Sequence, residues 1–145
     1  MNRAEERKLA GELFNRVWEL MEKPTRDKEE DDEMIHAAHA SRYHWGVVGK
    51  AENRARGEWQ ISRVYTVLGR GEPAVVHAER CLEICQQHGL ADWDIAYAYE
   101  SLARAHRTAG HAAEARKFKK LARAAGEKIS ETEEREHFEA DYATL

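Results

Sequence analysis

Apolar residues recur at three- and four-residue steps along most of the chain. No stretch alternates with a period of two, so the pattern predicts helices throughout. Leu9, Leu13, Phe14 and Val17 mark a first helix over about Arg3 to Met21, stopped by Pro24. The stretch Lys23 to Asp32 is dense in charge, lacks an apolar anchor and reads as an exposed, mobile connector. Asp31 or Asp32 then caps a second helix through Met34, Ile35, Ala38, Tyr43 and Val47 to about Gly49. A third begins near Ala51 and ends at Leu68-Gly69-Arg70-Gly71. Pro73 sits in the first turn of a fourth, which stops at His88-Gly89. Asp92 caps a fifth over about Trp93 to Thr108, and a sixth covers Ala112 to Ala125, ended by Gly126. Ser130 with Glu133 forms a capping box for a seventh through Phe138 and Tyr142. Turns this short make consecutive helices antiparallel.

A repeat lies inside this series. Aligning Tyr65 with His106 also pairs Gly69 with Gly110, Ala74 with Ala115 and Cys81 with Ala122, each 41 positions apart. A glycine ends the first helix of each pair, and small residues on the second let the two approach closely.

The order of these residues resembles the tetratricopeptide repeat, a helix-turn-helix unit of about 34 residues. The second copy carries Tyr99, Leu102, Ala103, His106, Ala115 and Ala122; the fainter first carries Ile61, Ser62, Tyr65, Ala74 and Cys81, with Trp59 one step late. Ala78 and Lys119 stand where the family keeps a large aromatic, with Phe118 one step off. The resemblance covers about residues 51–128. It implies one all-α domain over 1–145, an α-α superhelix of about seven helices with residues 129–145 as a capping helix. The first two helices would form a degenerate opening repeat.

The family's first helices line a concave groove. At about 100° per residue, Ile95, Tyr99, Leu102 and His106 share one side of the fifth helix, and Tyr97, Glu100, Arg104 and Arg107 the other. On the third helix, Ile61, Val64, Tyr65 and Leu68 oppose Arg56, Trp59, Arg63 and Thr66. The resemblance therefore implies a groove with Trp59, Arg63, Tyr97, Glu100, Arg104 and Arg107. Trp59 and Tyr97 would anchor a peptide, with Arg63 and Arg104 engaging an acidic group or free carboxylate through the planar guanidinium fork. The family's clamp of Lys and Asn alongside Arg is not matched here. A plainer reading stands beside this one: Glu100 and Arg104 form an ordinary i,i+4 pair, and Trp59 wedges against a neighbouring helix.

Composition narrows the rest. The chain has 145 residues, 42% apolar and 34% charged, with a net charge of −4. That is enough for one core, and too acidic overall for non-specific nucleic-acid binding. Lys50, Arg54 and Arg56 with Trp59 make a short basic patch, diluted by Glu52 and Glu58. No run reaches the roughly 18 apolar residues of a membrane helix, and the first residues lack a leader's apolar region. Cys81 and Cys85, four apart on one helix, read as reduced core residues, consistent with the cytoplasm. There is no nucleophile motif, and Gly46-x-x-Gly49 lacks the context of a phosphate loop. No cofactor is implied. Phe138, Tyr142 and Leu145 form an apolar stripe that either supports a homodimer or folds back onto the sixth helix.

The expectation is thus a non-catalytic module binding a protein or peptide segment. The alternative is a metal-dependent enzyme, because Glu33-x-x-His36 and Glu134-x-x-His137 repeat the ligand spacing of di-metal helical bundles.

Overall fold

The computed structural model describes residues 1–145 as seven helices without strands. They are α1 (Arg3–Met21), α2 (Lys28–Val48), α3 (Ala51–Val67), α4 (Gly71–Gln87), α5 (Trp93–Thr108), α6 (Ala112–Glu127) and α7 (Thr132–Tyr142). Helices pack in sequence order as antiparallel hairpins α1–α2, α3–α4 and α5–α6, and α7 closes the end of the array against α5 and α6. No helix is long and apolar enough to cross a membrane.

The chain turns between helices by one repeated device. Gly69 and Gly110 take left-handed φ values of 73° and 81°, which cost a glycine little. Behind them the Arg70 amide donates to the Tyr65 carbonyl and the His111 amide to the His106 carbonyl, both at 2.8 Å. The equivalence of Tyr65 with His106 extends to their side chains. Tyr65 stacks on His77 at 5.9 Å and His106 on Phe118 at 5.5 Å. The second helix of each hairpin therefore keeps its aromatic at His77 and Phe118, one step before Ala78 and Lys119. The same step reaches back into α1, where Leu20, Ile61 and Leu102 are all buried in the core. The first helices of the three hairpins share one plan.

Several boundaries differ from the sequence expectation for local reasons. The connector ends at Asp27, not Asp32, because Asp27 and Glu30 form a full capping box, so α2 begins at Lys28. Asp92 precedes α5 without capping it; its φ of 60° turns the carboxylate toward Ser130. Ser130, held by Asp92, does not cap α7, which starts at Thr132. Gly126 does not end α6 but lies inside it, as the seat of Phe138: a Cβ there would stand 2.2 Å from that ring. Phe138 is 2% exposed, so the stripe's main apolar residue is covered by its own chain, a burial that stabilises by about 1.5–3 kcal/mol.

Candidate binding groove

Continuing the 41-residue step along the first helices gives two ladders. Trp18, Trp59, Glu100 and Asp141 occupy one rung position on α1, α3, α5 and α7; Glu22, Arg63 and Arg104, one turn further, occupy the next. Five of these side chains face a common hollow: Trp18, Glu22, Trp59, Arg63 and Asp141 line one cavity of about 530 Å³. Trp59 divides it from a second, of about 480 Å³, under the α4–α5 turn. The groove is a trough walled by α1 and α7 and floored by α3.

Within it α7 already supplies a ligand-like contact. The Tyr97 hydroxyl donates to the Asp141 carboxylate at 2.5 Å. Arg104 donates to the Asp141 carbonyl at 3.1 Å and to Thr144 Oγ1 at 2.7 Å, while its Nε reaches Glu100 at 2.7 Å. Burial, and then the Asp141 hydrogen bond, pushes the Tyr97 hydroxyl well above its ordinary range. Trp59 packs at 5.4 Å from Trp18 and 5.3 Å from Tyr97.

The six residues read from the sequence therefore divide. Trp59 and Arg63 line the open trough, and Tyr97 lines only the second cavity. Glu100 is fully buried and Arg104 is buried beneath α7, so neither side chain is free on the groove surface. The helical arithmetic placed them correctly on the side opposite Leu102. It missed that α7 lies over that side. Arg107 is exposed outside the trough, donating to the Thr144 carbonyl at 3.1 Å.

Arg63 is the unusual member. Its side chain is 20% exposed, yet Nη1 has no hydrogen-bond partner. The nearest carboxylate oxygens stand 3.6 Å away on Glu100 and 4.0 Å away on Asp141, beyond hydrogen-bond reach. Burial, reinforced by the Arg104 charge, lowers its pKa below the ordinary arginine value. The Trp59 Nε1 donor and the Glu100 Oε2 acceptor are likewise buried and unpaired.

The paired Glu-x-x-His motifs are not brought together. Glu33 is held by a two-point contact with Arg16, at 2.7 and 3.1 Å, and His36 is exposed on α2. Glu134 and His137 lie on α7, which does not pack against α2. No three His, Cys, Asp or Glu side chains converge as a metal site would require.

The sequence reading gave Phe14, Trp93 and Asp92 only helical roles and did not single out Asp94 or Asp141. A further 41-residue step from Trp59 through Glu100 would have reached Asp141. Comparison with known proteins gives no further guide: no family model, no curated protein and no solved structure matches the chain.

Proposed function

We propose that the protein is a non-catalytic, tetratricopeptide-like interaction module, which receives a partner's polypeptide segment in the trough between α1 and α7. One carboxylate of that segment seats against Arg63. The observation behind this reading is Arg63 itself, a largely buried guanidinium that lines an open cavity, with Nη1 turned inward 3.6 Å from Glu100 and Nη2 standing 4.0 Å from Asp141. Five N–H donors fixed in a plane suit a carboxylate, and such charge-assisted bonds contribute more than neutral ones. Trp18 and Trp59 supply apolar area beside it.

The contact with Asp141 supports a carboxylate as the group received, and it also sets a limit. Arg63 and Arg104 are already matched in number by Glu100 and Asp141, and Glu22 adds another acid to the wall. A single carboxylate displacing Asp141 from Arg63 is accommodated, whereas a polyacidic run is repelled.

The test is a hexapeptide array with one aspartate at a fixed place and its asparagine counterpart, probed with the wild type, Arg63→Met and Asp141→Asn. The aspartate series binds the wild type at least roughly tenfold better than the asparagine series. Arg63→Met erases that preference, and Asp141→Asn enlarges it by vacating Arg63. Equal capture of both series by the wild type removes the reading.

A further inference from the structure

The cavity on the other side of Trp59 is richer in rings and in acid than the trough. Four aromatic side chains line it: Phe14 from α1, Trp59 from α3, and Trp93 and Tyr97 from α5. Three of them form one packed series, with Tyr97 centred 5.3 Å from Trp59 and 4.4 Å from Trp93. Three carboxylates share the lining, Asp92, Asp94 and Glu134, against the single guanidinium of Arg56.

These acids are not equally committed. Asp94 is held by the Arg56 fork at 3.0 and 3.2 Å. Asp92 accepts from the Ser130 amide at 3.1 Å and its hydroxyl at 2.7 Å, which ties the α4–α5 turn to the α6–α7 turn and fixes the rim. Glu134 has no cation at ion-pair distance and instead lies beside the Glu131 carboxyl. Partial desolvation, then Glu131 and Asp92, hold its carboxyl above the ordinary glutamate range, and Arg56 only partly offsets this. An anion entering here meets unfavourable charge. A neutral apolar group uses the rings and leaves the acids idle. A cation with an apolar shell uses both, through attraction to the aromatic faces and to the unpaired carboxylate.

We infer that this aromatic cavity is a binding site for a methylated ammonium group, enclosed by Phe14, Trp59, Trp93 and Tyr97 and neutralised at the rim by Glu134. Its volume of about 480 Å³ admits such a head group and part of the chain that carries it. The inference stands apart from the acidic-segment reading: Trp93 and Glu134 do not line the trough that holds Arg63.

Intrinsic tryptophan fluorescence and indole N–H resonances report the titration of the full chain. The probes are choline, Nα-acetyl-Nε-trimethyllysine amide and the neutral isostere 3,3-dimethyl-1-butanol. Choline and the trimethyllysine derivative separate a free ammonium from a side chain. Binding of either, roughly tenfold or more above the neutral isostere, is the expected result. Glu134→Gln weakens the cation by about three- to tenfold and leaves the isostere unchanged. Trp93→Leu weakens it by roughly tenfold, with the helical circular dichroism retained. If Trp93→Leu fails to fold, Glu134→Gln decides. Equal affinity for cation and isostere, or a Glu134→Gln protein that binds choline like the wild type, overturns the inference.

Discussion

Glu58 on α3 and Glu100 on α5 are both acids buried in first helices of successive hairpins, and their surroundings treat them differently. Both oxygens of Glu58 are used, by Arg42 Nε at 2.6 Å and His77 Nδ1 at 2.8 Å. Burial raises its carboxyl, but the His77 hydrogen bond and the Arg42 charge outweigh that and leave it below the ordinary glutamate value. Glu100 gives one oxygen to two nitrogens of Arg104 and leaves the other unpaired, while Arg63 stands off at 3.6 Å. A buried polar atom without a partner costs about 1–3 kcal/mol, so a half-used pair is poor structural cement. The α2–α3–α4 interface is complete in itself. The α3–α5–α7 face balances its charges but not its hydrogen bonds.

The contrast breaks first at Glu58. Glu58→Ala leaves Arg42 and His77 without their acceptor and should cost about 3–5 kcal/mol in urea unfolding. A loss below about 1 kcal/mol would place Glu58 with the weak surface pairs and end the distinction.

Next in size is the fastening of α7. Gly126→Ala puts a methyl group 2.2 Å from the Phe138 ring, and a rigid ring cannot withdraw to contact distance without moving its helix. The expected cost is about 1–3 kcal/mol, with faster amide exchange concentrated in Thr132–Tyr142. Exchange that quickens equally in α3 and α7 would mean that the cap is not a separable layer over the groove.

The regularities of the chain decide how much of this could be read beforehand. The helices, their order and the 41-residue step were legible, because period, glycine breaks and small residues are local signals. The same arithmetic set Trp59 and Arg63 opposite Ile61 and Val64, the side on which they line a cavity. What was lost depends on long-range contacts. Asp92 resembles an N-cap, yet its carboxylate serves Ser130, 38 positions away. Glu100 and Arg104 look like an exposed i,i+4 pair, and only the return of α7 buries them. A helical wheel shows which side a residue takes, not what later covers that side.

A smaller effect follows from pH. Burial, and then His77, holds His39 below the ordinary histidine value; burial and His111 do the same for His106. The unfolded chain therefore takes up these protons first. Their stabilising contribution is whole above about pH 6.5 and shrinks as pH falls below it, while that of Glu58 is lost only below about pH 4.3. Urea midpoints should start to fall between about pH 6.5 and 5.5, with His39→Gln flattening part of the decline. A profile level to about pH 5 would remove the histidines from the account and leave the acids alone.

The smallest expected stability change belongs to Arg63, and it sharpens the comparison most. Arg63→Met keeps the length of the stem and removes a buried donor that has no acceptor. Replacing an imperfectly paired buried charge with an apolar side chain is often neutral or stabilising, so unfolding should shift by less than about 1 kcal/mol. The charge left behind limits any gain, because Glu100 then keeps Arg104 alone and the Asp141 carboxylate loses its guanidinium neighbour. A residue that can be removed without loss of stability, while the preference for an acidic segment disappears with it, acts in recognition. If Arg63→Met instead unfolds as readily as Glu58→Ala, the guanidinium is holding the hairpins together, and the two buried acids belong to the same structural scheme.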